Sequence, residues 1–317
     1  MPKVSILIPA YRPDFLDASV ASALAQTFRD FELLIGDDSA GDDVASVLSK
    51  WSDPRIVYTR NPNRGTPGTN RNMLISQASG QYIKFLFDDD LLLPESVAML
   101  CAAADSTHAA LAFHAHYVID SIGRTKQWPT PIPADSAALV TRDQLFDTMI
   151  QPAVNFIGGP VNTLISTEAL AALPNPFGIG TDRMRFLTDM ALYTNFADQG
   201  HQIVGLGKSL SAFRIHDRQA SSASSPIHSA GVFEWEYLAR WTADHWSIEY
   251  SRCIATIQAR HQWYEGFVAR YPQLRRLTEL GSQPDASGAF FTAEFQEAIN
   301  ECWTMIAAGE NKVGVIE

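Results

Sequence analysis

Four short apolar runs, each separated from the next by a helix-like stretch, fill the first hundred residues, and no other feature constrains the fold as much. "KVSILIPAY" (3–11), "FELLIGDD" (31–38), "RIVYTRN" (55–61) and "YIKFLFDDD" (82–90) read as strands. Between them, "DFLDASVASALAQT" (14–27) sets Leu16, Val20, Ala23 and Leu24 on one helical face, with Asp14 placed to cap it. "DDVASVLSKWS" (42–52) opens a second helix on acidic residues, and "TPGTNRNMLISQASG" (66–80) supplies a third that stops at Gly80. Strands alternating with helices at these lengths build βαβ units and a mainly parallel sheet. The near-continuous apolar character of the strands fits a sheet covered on both faces.

After residue 100 the pattern changes. Residues 110–128 read as two strands around a turn at Ser121-Ile122-Gly123, and a helix is expected near 141–150. "NFIGGPVNTLIS" (155–166) is a Gly-Gly-Pro turn into a strand, 185–200 an amphipathic helix ended by Gly200, and 201–216 a strand. The small, polar stretch "ASSASSP" (220–226) has the composition of a mobile loop. From about 230 onward the chain reads as helical, with aromatic anchors at Trp235, Trp241, Trp246 and Trp263. The expected organisation is therefore a first half over 1–100, a second over 101–225, and a helical C-terminal extension over 226–317.

Charge and composition remove several functions. A net charge of −11 in 317 residues argues against nucleic-acid binding, which favours a basic face. No run approaches the length of a transmembrane helix, and the N-terminus lacks a signal-peptide cleavage pattern, so a cytoplasmic protein is expected. A peripheral contact with the inner face of a membrane stays open. Cys101, Cys253 and Cys302 follow no zinc-like spacing and read as reduced, buried thiols.

In open sheets of this type ligands bind beyond the carboxyl ends of the strands. Those ends carry Pro9-Ala10-Tyr11, Asp37-Asp38 and Asp88-Asp89-Asp90. Three adjacent carboxylates repel one another unless water or a cation compensates. Their place at the end of a central strand favours a hard divalent ion shared with substrate phosphates. An aspartyl-phosphate phosphatase also places aspartates after an apolar strand, but it usually uses the first strand of the chain.

"VSILIPAYRPD…SALAQTFRDFELLIGDDSAGDD", "NRGTPGTNRNMLISQASGQYIKFLFDDDLLLPE" and "FRIHDRQAS" together resemble the family 2 glycosyltransferases, inverting enzymes of the GT-A fold. The likeness runs in consistent order from residue 3 to about 221. It implies a Rossmann-like sheet flanked by helices, and transfer of a sugar from a nucleotide-sugar, foremost a UDP-sugar, to a hydroxyl of a saccharide or glycolipid acceptor in surface-glycan synthesis. It further implies that Pro9 and Tyr11 line the nucleotide pocket, that Asp38 accepts from the base, that Arg71 approaches the phosphates, and that Asp88 lies near the ribose. Asp89 is then the principal ligand of Mn²⁺ or Mg²⁺, with Asp90 beside it and His216 meeting the metal or diphosphate. Phe87 stands where the commoner Asp-x-Asp-Asp pattern has its first aspartate. The family's base falls on Asp189, with Asp182 as the competing residue. A catalytically silent nucleotide-binding scaffold is the alternative of another class.

Other features are weaker. Arg214 and Arg218 are secondary candidates for phosphate contacts, and Gly158-Gly159-Pro160 is either a phosphate-facing turn or a plain tight one. His114 and His116 share one side of a strand but have no third zinc ligand nearby. The basic stretch "RYPQLRRL" (270–277) reads as a solvated helix face, with contact to an anionic lipid carrier as the alternative. The extension, with its tryptophans, is expected to serve acceptor selection or self-association.

Overall fold

The computed structural model describes residues 1–66, 68–219, 222, 226–269 and 271–313, the last six as backbone only. Most of the serine-rich stretch, residues 220, 221 and 223–225, lies outside them, as does Arg270 of the basic stretch. Two compact units emerge, and both are discontinuous in sequence. The first comprises 1–141, 156–174 and 199–215, and the second 142–155, 175–198 and 216–317. The expected boundaries at 100 and 225 are therefore not where the chain divides. The strand 203–215 returns to the first unit, and the helix carrying Asp189 groups with the C-terminal helices.

The first unit is a ten-stranded mixed sheet. In chain order its strands are β1 (Val4–Ala10), β2 (Phe31–Asp37), β3 (Ile56–Arg60), β4 (Tyr82–Phe85), β5 (Leu91–Leu92), β6 (Leu111–Asp120), β7 (Thr125–Gln127), β8 (Ala137–Leu139), β9 (Thr163–Ser166) and, after the hairpin β10–β11 of the second unit, β12 (Ile203–Ile215). The order across the sheet is β3-β2-β1-β4-β9-β6-β12-β5, with β7 on β6 and β8 on β12. β3, β2, β1 and β4 run parallel, and β9 enters antiparallel between β4 and β6.

The apolar runs are buried as their sequences require: Ile6, Ile8, Leu33 and Ile35 are inaccessible to solvent. They pack in one core with Leu16 and Val20 of α1 (Leu16–Leu24), Val44 of α2 (Asp43–Leu48) and Val97 and Leu100 of α4 (Ser96–Thr107). Each such side chain contributes about 1.5–3 kcal/mol by burial. The edge strand β3 differs: Val57 and Tyr58 remain exposed. α3 (Thr69–Gln77) lies close against β2 because residue 36 is glycine; a Cβ there would stand 2.2 Å from Asn70 Oδ1.

In the second unit, α5 (Arg142–Leu145) continues into one π-helical turn over Phe146–Ile150. The hairpin β10 (Gly178–Ile179) and β11 (Asp182–Arg183) precedes α7 (Thr188–Asp198), α6 (Thr167–Ala172) belonging to the first unit. Four helices follow: α8 (Ala230–His245), α9 (Ser251–Tyr264), α10 (Leu274–Glu279) and α11 (Ala293–Val313). Their core is aromatic. Tyr237 meets Phe291 edge-on at 4.9 Å and Trp303 at 5.4 Å, and the Arg240 guanidinium lies over the rings of Phe290 and Phe295 at 4.7 and 4.6 Å. Buried Glu236 pairs with Arg240 at 2.8 Å and accepts from Tyr264 Oη at 2.6 Å, which satisfies charges that would otherwise be costly inside a protein. The three cysteines are buried free thiols.

Candidate functional site

The strand order places a switch point at β1: the chain winds outward through β2 and β3, then crosses to β4 on the other side of β1. The connections from neighbouring carboxyl ends leave to opposite sides at such a point, which is where sheets of this kind usually bind ligands. The acidic turn after β4 is fastened to β1 directly. Asp88 Oδ2 accepts the backbone N–H of Tyr11 at 2.6 Å and of Arg12 at 2.7 Å. Burial raises the Asp88 carboxyl to about 6, against the pull of those two donors. Through Oδ2 this carboxylate holds the β1 loop against the turn.

The other residues expected to meet the nucleotide lie on the neighbouring elements. Tyr11 is 55% exposed, with Arg12 over its ring at 5.6 Å, and Pro9 is half-buried two residues before it. Asp38 follows β2; its N–H donates to Ala10 O at 2.9 Å, and its carboxylate accepts from Asn61 Nδ2 at 2.6 Å. Asn61 also donates to Thr69 Oγ1 at 3.1 Å, so the first residue of α3 is tied to Asp38. Asn70 donates to Gly36 O at 2.9 Å, which holds the N-terminal turn of α3, and with it Arg71, at the sheet edge. Pro9, Tyr11, Asp38, Arg71 and Asp88 are therefore brought together, while neighbouring Asp37 is buried and serves structure, accepting from Tyr58 Oη and Ser39 N.

Asp89 and Asp90 part company. Asp89 is half-buried at the turn. Asp90, expected beside it at a metal, is fully buried: Oδ1 accepts the Arg214 backbone N–H at 2.9 Å, and Oδ2 has no hydrogen-bond partner among the described residues. Burial first, then the charge of Asp89, holds the Asp90 carboxyl well above the usual range. Asp90 is thus a brace beneath the turn, not a surface ligand. Arg214 is likewise spent on the turn. Only 6% exposed, it donates from Nε to Asp89 O at 2.9 Å and from Nη1 to Asp120 O at 3.2 Å, with its guanidinium 4.3 Å from the Phe15 ring centre. Among the described residues no group of three or more His, Cys, Asp or Glu side chains is arranged to hold a metal.

The Gly-Gly-Pro turn is fastened from below. Gly158 has φ +79°, and a Cβ there would meet Asn162 Nδ2 at 2.3 Å and His116 Cε1 at 2.7 Å. Asn162 Nδ2 lies 3.2 Å from His116 Nδ1, and its Oδ1 accepts from Ser211 Oγ. Both His114 ring nitrogens are engaged, with Ser96 Oγ at 2.8 Å and Ala115 O at 2.9 Å. Lys84, which looks out of place in an apolar strand, is fully buried and donates to Val161 O; desolvation lowers its ammonium to about 7.

In the second unit Asp189 occupies the first turn of α7. Its Oδ2 accepts from Asn155 Nδ2 at 2.7 Å and its Oδ1 from Met190 N at 2.8 Å. Burial still dominates and pushes the carboxyl up to about 6. Asp182, the competing residue, is committed elsewhere: Oδ2 accepts from Tyr237 Oη at 2.7 Å and Gln296 Nε2 at 2.9 Å. His216 also belongs to this unit, where its Nδ1 accepts the Arg218 N–H at 3.3 Å. Asn155 opens the Gly-Gly-Pro stretch, but no signal in the sequence singles it out.

Residues 5–170 match the model of glycosyl transferase family 2. The chain belongs to that family. Among family relatives, a GalNAc(5)-diNAcBac-PP-undecaprenol beta-1,3-glucosyltransferase of Campylobacter jejuni is 36% identical over 113 residues, which are 34% of this chain and 37% of that protein. A UDP-Glc:alpha-D-GlcNAc-diphosphoundecaprenol beta-1,3-glucosyltransferase of Escherichia coli is 33% identical over 120 residues, 37% of this chain and 47% of that protein. The chain thus spans less than half the length of either relative it matches. The fold is shared more widely: S. aureus TarS 1–349, solved in complex with UDP-GlcNAc, superposes with a TM-score of 0.56 at 16% identity, over 98% of this chain and 92% of that one. The GT-A architecture expected of this family is the one observed. No helix among the described residues is long and apolar enough to cross a membrane.

Proposed function

We propose that this family 2 chain transfers a sugar, with inversion, from a UDP-sugar to a hydroxyl of a saccharide carried on a diphosphate lipid. The observation that carries the donor half is the convergence of Tyr11, Asp38, Arg71 and the acidic turn at the β1 switch point. An exposed aromatic ring can stack on a base, a carboxylate can accept an imide N–H as in uracil, and an arginine can meet phosphate. The names of the two relatives, both glucosyltransferases acting on diphosphoundecaprenol-linked glycans, support the acceptor class. Such an acceptor puts the work at a membrane surface, and a peripheral association at the cytoplasmic face follows from this reading.

Leaving of the nucleoside diphosphate develops charge on its β-phosphate. A divalent ion, Mn²⁺ or Mg²⁺, would neutralise that charge. The residues fit one: Asp89 offers a hard carboxylate at the turn, and Mg²⁺ and Mn²⁺ are often held by one or two carboxylates with substrate phosphates completing the shell. Asp88 keeps the β1 loop against the turn, and Arg71 adds positive charge near the phosphates. His216 is assigned to the diphosphate rather than to a preformed metal cluster. Asp189 takes the proton of the acceptor hydroxyl; a carboxyl near 6 is ionised at neutral pH yet more basic than an ordinary aspartate.

The test begins with thermal unfolding in UDP, dTDP, GDP, CDP and ADP, each with Mn²⁺ and with chelator. A metal-dependent rise with UDP alone or with UDP and dTDP is expected, since ligand at 100 times its Kd adds about 2.7 kcal/mol. Transfer from UDP-glucose to GlcNAc-diphosphoundecaprenol is then measured. No shift with any nucleotide overturns the reading.

A further inference from the structure

The segment that leads into Asp189 is gripped by a helix far away in sequence. α8 carries Gly231, Glu234 and Tyr237 at i, i+3 and i+6, which places them on one face. All three meet residues 182–187. Phe186 packs where a Gly231 Cβ would stand, 2.7 Å from its ring, and Tyr237 donates to Asp182. Glu234 does most. Its carboxylate accepts three successive backbone N–H groups, from Arg185 at 2.7 Å, Phe186 at 3.0 Å and Leu187 at 2.7 Å. A fourth donor comes from α11: Trp303 Nε1, at 2.9 Å.

A carboxylate with no exposed surface is destabilising unless its lone pairs are satisfied, and here four N–H donors satisfy them. Three of the four belong to one turn, the turn that ends one residue before α7 and two residues before Asp189. We infer that Glu234, backed by Trp303, is a positioning residue for Asp189, fixing residues 185–187 so that the base carboxylate is presented in one orientation. The helices expected to be an appended extension thereby take part in the reaction. This inference rests on Asp189 being the base.

Glu234→Gln keeps the volume and removes the charge; Trp303→Phe removes one donor and keeps the ring, and serves if the first variant fails to fold. In Glu234→Gln, hydrogen exchange in a peptide covering 184–190 should quicken while peptides from β1 and β2 stay protected. The kcat for transfer from UDP-glucose to GlcNAc-diphosphoundecaprenol should fall about 10- to 100-fold, the scale of a small misplacement of a catalytic group, with the UDP-induced thermal shift unchanged. The acid limb of the pH profile should move to lower pH, because the Glu234 charge adds to the burial that raises Asp189. Trp303→Phe should move the exchange and kcat readings the same way by less and leave the acid limb nearly in place, since it keeps the Glu234 charge. Unchanged exchange overturns the inference, and so does quickened exchange with unaltered kcat and pH profile. If the wild type binds UDP but transfers nothing, the functional reading fails instead. Hydrogen exchange over 184–190 then decides: quickened exchange in Glu234→Gln upholds the brace, and unchanged exchange removes it.

Discussion

The acidic turn at 88–90 and the segment 182–189 solve one problem in two ways. Each presents a single carboxylate, and each uses two others as braces. At the turn, Asp88 fastens β1 through Tyr11 and Arg12, and Asp90 fastens β12 through Arg214, with Asp89 between them. In the second unit, Asp182 is held by Tyr237 and Gln296, and Glu234 holds residues 185–187, ahead of Asp189. The braces of the turn are neighbours in sequence, whereas Glu234 stands on another helix. A carboxylate cluster in a sequence therefore locates a site more readily than it assigns roles within it.

The largest effect should come from the presented carboxylates themselves. Asp189→Asn is expected to reduce transfer by two to four orders of magnitude, the range of a lost general base, while the UDP-induced thermal shift stays whole. Equal transfer in the variant would remove Asp189 as the base, and a wild type that binds UDP without transfer would return the chain to a scaffold role. Asp89→Asn should do the reverse: its UDP shift should no longer depend on Mn²⁺, and turnover should drop roughly a hundredfold with lost stabilisation of the leaving diphosphate. If both variants behaved alike, the division of labour between the two regions would be wrong.

What the sequence made legible follows the same division. The strands, their burial and the strand-end positions of Tyr11, Asp38 and Asp88 could be read because apolar periodicity encodes them locally, whereas Arg71 came only through the family resemblance. The roles of Asp90 and Arg214 could not. Both look like surface charges in one dimension, and their burial depends on β12 pairing with β5 and β6 across more than ninety residues of chain. The units divide elsewhere than at 100 and 225 for a related reason: the segment leading into α7 is bonded to Glu234 of α8, which Trp303 of α11 also meets, and no local pattern announces either bond. Asp189 was legible only through the family resemblance, and Asn155 and Glu234 not at all.

A brace should matter less than the group it serves. Asp88→Asn retains an acceptor oxygen but gives up the charge on which two N–H groups converge. UDP affinity should fall about tenfold or less by isothermal titration, the scale of a charged hydrogen bond weakened to a neutral one, and Asp189 should titrate as before. A change in the Asp189 midpoint would couple the two regions and break the comparison.

The smallest effect is also the most discriminating, because two substitutions around one carboxylate should push in opposite directions. Asn155 donates to the ionised form of Asp189 and so lowers its pKa, while burial, the largest influence, raises it and Glu234 adds to that rise. Asn155→Ala should therefore move the acid limb of kcat/KM above its wild-type position near 6, and Glu234→Gln should move it below. The base must be ionised to act, so the Asn155 variant should be slower than wild type at acidic pH and recover as pH rises. Rate profiles between about pH 5 and pH 8 measure both shifts. Shifts of the same sign would mean that general loosening of the α7 entry, and not the charge and donor set around Asp189, controls the limb.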